Sequence, residues 1–197
     1  AKSNIKLLYS QINKFKPKYA VVLNSKDAEN LIIKCKKNNI RTKILSGKKN
    51  YCFVAKHIKV NCVLSAIVGA AALEPTYSAI KNGKTILLAN KESLIMSGSL
   101  MMNEARKSKS LIIPVDSEHN AIFQILMSSG LEYNHLGISC SNNIKKVTLT
   151  ASGGPFLGFS KRQLSKVTPK EATRHPTWKM GKKISVDSAS MINKGLE

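Results

Sequence analysis

The stretch TILLANKESLIMSGSLMMNEARK, residues 85–107, indicates how this chain folds. Residues 85–89 form a short apolar run, and residues 93–107 form a longer segment with helix-like spacing. A short apolar run that leads into a helical segment is typical of one strand–helix unit of an α/β fold. Asn90, Lys91 and Glu92 lie at the junction, which is the carboxyl end of the predicted strand.

The same alternation extends towards the N-terminus. Further apolar runs occur at residues 19–23, 43–45 and 63–68, and helix-like segments occur at residues 1–16, 27–37 and 75–82. Strands that alternate with helices predict a Rossmann-like parallel sheet, in which ligands bind beyond the carboxyl ends of the strands. Gly69-Ala70-Ala71 falls at such an end. These small residues fit either a close approach of the backbone to a ligand or tight packing of a helix on a strand.

After residue 110 the pattern changes to longer loops, which predicts a second, α+β domain. Its expected strands lie at residues 111–115, 147–151 and 184–187. Thr168, with Pro169 and Glu171 after it, predicts a helix start with a capping box. Pro176 disfavours helical geometry at His175, so we expect residues 175–181 to form a loop.

Asp116-Ser117-Glu118 follows the apolar run of residues 111–115 in a chain with only 11 acidic residues against 32 Lys and Arg. In an extended segment, Asp116 and Glu118 project from the same face, and their oxygens suit a hard divalent cation. The same short pattern also fits a solvated turn with acidic caps. The pattern alone leaves both interpretations open.

Composition restricts the other functions. A chain of 197 residues with 43% hydrophobic content fits one or two globular domains, and no apolar run approaches the ~20 residues of a membrane helix. The four cysteines lack zinc spacing and are predicted to be reduced thiols. A net charge of +21 would suit nucleic acid, but only four residues are Arg and the lysines are dispersed. We therefore expect neither a specific nucleic-acid partner nor a membrane.

Four segments carry a resemblance to a known family: residues 87–98 (LLANKESLIMSG), 114–124 (PVDSEHNAIFQ), 149–156 (LTASGGPF) and 174–197 (RHPTWKMGKKISVDSASMINKGLE). They resemble 1-deoxy-D-xylulose 5-phosphate reductoisomerase. The resemblance implies an NADPH-dependent enzyme that uses Mg²⁺ or Mn²⁺. It would convert 1-deoxy-D-xylulose 5-phosphate to 2-C-methyl-D-erythritol 4-phosphate in the non-mevalonate isoprenoid pathway. An NADPH enzyme acting on another sugar phosphate, and a basic nucleic-acid-binding module, are the alternatives.

The resemblance also implies an organisation. Residues 1–110 would be part of the NADPH-binding domain, and residues 111–197 would be part of the catalytic domain that binds metal and substrate. The family's glycine-rich phosphate loop and its C-terminal helical domain have no counterpart here, so we expect an internal fragment. The full-length protein is expected to be a homodimer in a bacterial-type cytoplasm, with a plastid-type organelle as the other setting.

Site residues are carried over by motif. The metal ligands are expected to be Asp116, Glu118 and Glu197, which form the catalytic set together with Lys91. The residues expected to bind substrate are Lys91, Ser117, Glu118, Ser152, His175, Trp178, Ser188, Asn193, Lys194 and Glu197.

The expected cofactor-binding residues are Lys2, Ser3, Asn4, Asn90, Glu92 and Gly181, with Lys2 standing where the family commonly has Gly. The loop that carries His175 and Trp178 is expected to close over the substrate. A single Trp is otherwise more often part of a core.

Overall fold

The structure, a computed structural model, describes residues 4–138, 144–151 and 153–196. The first part alternates helices and strands: α1 (Ile5–Phe15), β1 (Tyr19–Val22), α2 (Ser25–Lys37), β2 (Lys43–Ser46), α3 (Lys48–Ala55), β3 (Cys62–Ser65), a 3₁₀ turn (Gly69–Ala72), α4 (Leu73–Lys81), β4 (Thr85–Leu88), α5 (Lys91–Ser108) and β5 (Ile112–Pro114). The second part is mainly helical: α6 (Ser117–Ser128), β6 (Tyr133–Asn134), β7 (Gly137–Ile138), α7 (Lys161–Leu164), α8 (Pro169–Ala172), α9 (Lys182–Ala189) and α10 (Ile192–Leu196).

All strand pairs of the first part are parallel, which confirms the predicted α/β class. β1 pairs with β2, and β3, β4 and β5 form a three-stranded sheet in that order. β6 and β7 form a small antiparallel hairpin. Parallel neighbours need a crossover, and here each crossover between paired strands contains a helix.

Two apolar cores hold this part together. One lies between α1, β1 and α2 and is built around Ile12, Val22 and Leu31. The other lies where α4 and α5 cover β4, and it contains Ile80 and Met101, both fully buried. Burial of such side chains is the main favourable contribution to folding of this part.

The sheet also brings the candidate site together. Leu88 at the end of β4 pairs with Pro114 at the end of β5. The Leu88 carbonyl accepts hydrogen bonds from the backbone N–H groups of Val115 at 2.8 Å and Asp116 at 3.3 Å. The polar residues that follow β4 therefore lie next to those that follow β5.

Three local predictions are wrong. Asp116 and Glu118 are not in an extended segment, because α6 begins at Ser117, with Asp116 as its N-cap residue and Glu118 in its first turn. Residues 147–151 are not a strand. Residues 184–187 lie inside α9, where the Ser185 N–H and hydroxyl both donate to the Gly181 carbonyl.

Other predictions for the second part are confirmed. Thr168 caps α8, and Glu171 completes the capping box. Residues 173–181, between α8 and α9, contain neither helix nor strand. The domain boundary at residue 110 stays a prediction.

Two negative expectations can be compared with the described residues. No helix within these ranges is long and apolar enough to cross a membrane. Cys35, Cys52 and Cys62 are free thiols, and Cys140 lies outside the described ranges.

Candidate functional site

Each of the two predicted metal-binding acids at the start of α6 faces a lysine. Lys91, the first residue of α5, places its Nζ 3.7 Å from Asp116 Oδ1, and each side chain is 19% exposed. Lys194 of α10 forms an ion pair with Glu118, although 76 positions separate them in the chain. The fold thus gathers two carboxylates and two ammonium groups at the ends of β4 and β5.

Glu118 is strongly held in its ionised form. Burial alone would raise its pKa, but hydrogen bonds from Lys194 and from the Ser117 hydroxyl outweigh burial and lower the pKa to about 2. Ser117 Oγ donates to Glu118 Oε2 at 2.6 Å, and Lys194 contacts Oε1. Both carboxylate oxygens therefore have a donor, and the role of Ser117 in binding substrate stays a prediction.

Two side chains fix α6 on β5. Asn120 Nδ2 donates to the Pro114 carbonyl at 2.8 Å, which ties the first turn of α6 to the end of the strand. Tyr133 donates to the Ile112 carbonyl, and its ring packs edge-on against Phe123 at a centroid distance of 5.1 Å. These contacts set where Glu118 points.

The donor chemistry fits a hard divalent cation. Asp116 and Glu118 offer oxygen ligands, and each already attracts a positive charge in the form of a lysine ammonium. The third predicted ligand, Glu197, lies outside the described residues, and within those residues no group of three His, Cys, Asp or Glu could hold a metal. The three-acid cluster therefore stays a prediction.

Three of the predicted substrate-binding residues lie on α9 and α10, namely Ser188, Asn193 and Lys194. Ser188 is buried, and its carbonyl is so close to Gly154 that a Cβ there would meet it at 2.6 Å. The loop that follows Ser152 therefore packs on α9. Asn193 Oδ1 is buried and has no hydrogen-bond partner among the described residues, which is uncommon for a buried polar atom.

His175 and Trp178 organise the loop before α9. Their rings stack with centroids 5.0 Å apart and an interplanar angle of 14°. His175 Nδ1 accepts hydrogen bonds from the backbone N–H groups of Thr177 and Trp178, each at 3.1 Å. Trp178 is 59% exposed, so the alternative that it fills a core is wrong.

The chain is similar to known proteins along its whole length. Residues 1–98 match the family profile described as 1-deoxy-D-xylulose 5-phosphate reductoisomerase, and residues 112–197 match that of its C-terminal domain. A reductoisomerase of this name from Acinetobacter baumannii is 48% identical over 197 residues, and one from Haemophilus ducreyi is 47% identical over 194 residues. The chain belongs to the 1-deoxy-D-xylulose 5-phosphate reductoisomerase family.

The match to the Acinetobacter reductoisomerase covers 100% of this chain and 49% of that protein. The match to the Haemophilus reductoisomerase covers 98% of this chain and 49% of that protein. The chain thus spans about half the length of these relatives. A crystal structure of a reductoisomerase with NADPH, fosmidomycin and magnesium has a TM-score of 0.83 at 40% identity, covering all of this chain and 48% of that one. The Zymomonas mobilis reductoisomerase with NADPH has a TM-score of 0.81 at 34% identity, covering 100% and 47%.

The reductoisomerase motif at residues 90–92 forms a connected polar network. Asn90 is 2% exposed, and its Nδ2 donates to the Ile67 carbonyl at 2.8 Å and to Glu92 Oε2 at 3.0 Å. Its Oδ1 caps α5 by accepting from the Ser93 N–H at 2.9 Å. Asn90 thus acts structurally through both polar atoms, while Glu92 is a first-turn residue of α5.

Lys183 is the residue that sequence reasoning missed. Its Nζ lies 2.6 Å from Asp187 Oδ2 and 3.6 Å from Glu92 Oε1, so it joins α9 to the start of α5. The hydrogen bond to Asp187 raises the pKa of Lys183. The spacing of four between Lys183 and Asp187 indicates an ion pair only on a helix, and the sequence pattern predicts a strand at residues 184–187.

The remaining predicted residues are not brought to these clusters by any described contact. Asn4 caps α1 by accepting a hydrogen bond from the Leu7 N–H at 3.0 Å. Gly181 is the N-cap residue of α9. Lys2, Ser3, Ser152 and Glu197 lie outside the described ranges.

Proposed function

We propose that this chain carries metal-, substrate- and cofactor-binding residues of a 1-deoxy-D-xylulose 5-phosphate reductoisomerase. The reaction is the NADPH- and divalent-cation-dependent conversion of 1-deoxy-D-xylulose 5-phosphate to 2-C-methyl-D-erythritol 4-phosphate. The observation that carries the proposal is the pairing of Asp116 with Lys91 and of Glu118 with Lys194 at the adjoining ends of β4 and β5. Family membership supports the identity of the substrate.

In this proposal Asp116, Glu118 and Glu197 hold Mg²⁺ or Mn²⁺. The ion, when bound, polarises a carbonyl and stabilises negative charge on oxygen. The low pKa of Glu118 supports its part, because only the ionised carboxylate is a good ligand for a hard cation. The related crystal structure that contains magnesium supports the choice of metal.

Substrate binding falls to residues around the acids. Ser152, Ser188, Asn193 and Lys194 would bind the phosphate, and the buried, unpartnered Oδ1 of Asn193 supports a ligand there. Amide oxygen and nitrogen can exchange by a side-chain flip, so the same position can donate to a phosphate oxygen. Ser117 would contact the substrate beside Glu118.

Lys91 would stabilise negative charge on a substrate oxygen during the reaction. Its position 3.7 Å from Asp116 supports this role, because the ammonium lies beside the proposed ion site. His175 and Trp178 would close over the bound substrate and exclude water. Their exposed loop and stacked rings support a preformed but accessible flap.

NADPH would supply the hydride, and we assign its binding to Lys2, Ser3, Asn4, Asn90, Glu92 and Gly181. The Asn90 side chain is committed to internal hydrogen bonds, so its contribution is to fix the turn on which Glu92 stands. A homodimer in a bacterial-type cytoplasm completes the proposal. The bacterial relatives support the setting.

A chimera tests the proposal, because the chain aligns end to end with half of a longer relative. The matching stretch of the Acinetobacter reductoisomerase would be replaced by these 197 residues. We expect the chimera to oxidise NADPH with 1-deoxy-D-xylulose 5-phosphate and Mg²⁺. Glu118→Gln should lower turnover at least about 100-fold, because it removes a charge from the reacting centre.

Glu132→Gln is the matched control, since Glu132 is an exposed acid that undergoes the same change. It should keep near-normal turnover. A folded but inactive chimera beside an active parent would contradict the proposed reaction. Near-normal turnover of the Glu118→Gln chimera would remove Glu118 from the cation site.

A further inference from the structure

Lys194 and Glu118 are assigned to different ligands, yet they bind each other in the structure. Glu118 is a proposed ligand of the cation, and Lys194 is a proposed ligand of the substrate phosphate. Their ion pair is shielded from water, with side-chain exposures of 22% for Glu118 and 16% for Lys194. The second carboxylate oxygen of Glu118 is also engaged, by the Ser117 hydroxyl.

We infer that Lys194 couples the cation to the phosphate by changing partner. Without ligands, its ammonium neutralises Glu118 and competes with a divalent cation for the same carboxylate. A bound phosphate draws the ammonium towards itself and leaves Glu118 available to the cation. This inference rests on the proposed function, since it takes Glu118 and Lys194 in the roles given there.

Electrostatics favours such a change of partner. An ammonium and a divalent cation on one carboxylate repel each other, and this repulsion is screened less in a part-buried site than at the surface. A phosphate carries two negative charges near neutral pH and relieves the repulsion. Ligand binding therefore converts a competitor of the cation into a ligand of the anion.

The surroundings of Lys194 support a second position for its ammonium. Asn193, the preceding residue, keeps a buried side-chain oxygen without a hydrogen-bond partner in the described chain. Asn193 and Lys194 lie on the short helix α10, which packs against α9 and its buried Ser188. A phosphate bound beside Asn193 would therefore lie within one residue of Lys194.

Coupling between two binding sites is reciprocal. If a phosphate compound raises the affinity for the cation by a certain factor, the cation raises the affinity for the phosphate compound by the same factor. Couplings of this kind usually amount to about 5- to 150-fold. We expect the dissociation constant of Mn²⁺ to fall about tenfold when the phosphate position is filled.

The test is a calorimetric titration of the 197-residue chain with Mn²⁺, with and without glycerol 3-phosphate, corrected for Mn²⁺ bound by the phosphate compound in solution. In Lys194→Met, Mn²⁺ should bind about tenfold more tightly than to the wild type when glycerol 3-phosphate is absent, because the competitor is gone. Adding glycerol 3-phosphate should then have little effect. Lys194→Arg keeps the charge and should keep the competition.

Lys170→Met is the matched control, because Lys170 is an exposed lysine of α8 and the change in net charge is the same. It should titrate like the wild type. Circular dichroism checks that each variant is folded, and Lys194→Gln replaces Lys194→Met if the latter is not.

Unchanged or weaker Mn²⁺ binding in the Lys194 variants, with the effect of glycerol 3-phosphate retained, would overturn the inference while leaving the proposed function intact. The proposed function itself would be contradicted by a different result. If Glu118→Gln binds Mn²⁺ as tightly as the wild type, or if the wild type binds none, Glu118 is not a cation ligand and both fail.

Discussion

The two parts of this molecule are stabilised in different ways. Of the described apolar residues that are buried, only Ala189 lies beyond Ile112 in the chain. The first part therefore has cores of aliphatic side chains, whereas the described contacts of the second are aromatic pairs, capping boxes, backbone turns and ion pairs. Burial depends little on pH and salt, but polar contacts at the surface depend on both. We thus expect pH and salt to affect the second part, which carries Asp116 and Glu118, more than the first.

The largest effect is expected from the core of the first part. Ile80→Ala removes a fully buried side chain beside α5 and should lower the free energy of unfolding by about 2–5 kcal/mol. Urea unfolding followed by circular dichroism measures it. Ile58→Ala is the control, because Ile58 is 86% exposed, and it should change stability little. Equal losses in the two variants would contradict the assignment of the core.

A smaller loss is expected at the turn between β4 and α5. Asn90→Ala should lower the free energy of unfolding by about 1–3 kcal/mol, because it removes a part-buried hydrogen bond to the Ile67 carbonyl and the cap of α5. Urea unfolding compares it with Asn82→Ala, which removes an exposed bond to the Ser78 carbonyl. A loss for Asn90→Ala no greater than that for Asn82→Ala would show that the buried network contributes little.

The ion pair at α6 should give a stability that depends on pH. The folded pKa of Glu118, about 2, lies below its ordinary value of 4.5, so its contribution is complete above about pH 4.5 and is lost as the pH falls towards 2. In metal-free buffer, the wild type should exceed Glu118→Gln by about 1–2 kcal/mol at pH 6, after allowance for solvent screening.

The difference between these two proteins should shrink when urea unfolding is repeated at pH 3. Glu132→Gln serves as the exposed control and should show a difference near zero at both pH values. A difference between wild type and Glu118→Gln that stays constant from pH 6 to pH 3 would mean that the carboxylate is not held by Lys194 and Ser117 in solution.

The difference between the two parts also explains what could be predicted from the sequence. The parallel strands of the first part are short apolar runs, and the helices between them carry periodic apolar faces, so their order followed directly from the pattern. The described residues of the second part form no large core, and its sequence shows no such pattern. Residues 184–187, ISVD, contain the β-branched Ile184 and Val186, which favour a strand. In the structure they lie in a helix, in which Ser185 donates to the Gly181 carbonyl and Lys183 pairs with Asp187.

The same limit applies to the site. The acids of residues 116 and 118 could be found because they follow a recognisable strand, although the helix that begins at Ser117 changes their geometry. The ion pair of Glu118 with Lys194 could not, because tertiary folding alone brings together residues 76 positions apart. The resemblance placed both residues in a site but did not predict their contact.

The smallest effect on stability is expected at Lys183, although this residue connects the two parts. Its side chain is 59% exposed, so its pairs with Glu92 and Asp187 are screened by water, and Lys183→Met should change the free energy of unfolding by less than about 1 kcal/mol. The local effect should be larger. Trp178, the single Trp of the chain, lies five positions before Lys183 and reports on the loop that leads into α9.

We therefore expect Lys183→Met to raise the mobility of that loop, seen as lower fluorescence anisotropy of Trp178 and easier quenching by iodide, while urea unfolding hardly changes. High salt should move the wild type in the same direction, because it screens the exposed pairs. Lys179→Met removes an exposed lysine next to Trp178 and controls for the lost charge, which by itself weakens the attraction of iodide. If Lys179→Met and Lys183→Met have the same fluorescence, the bridge from α9 to Glu92 does not order the loop.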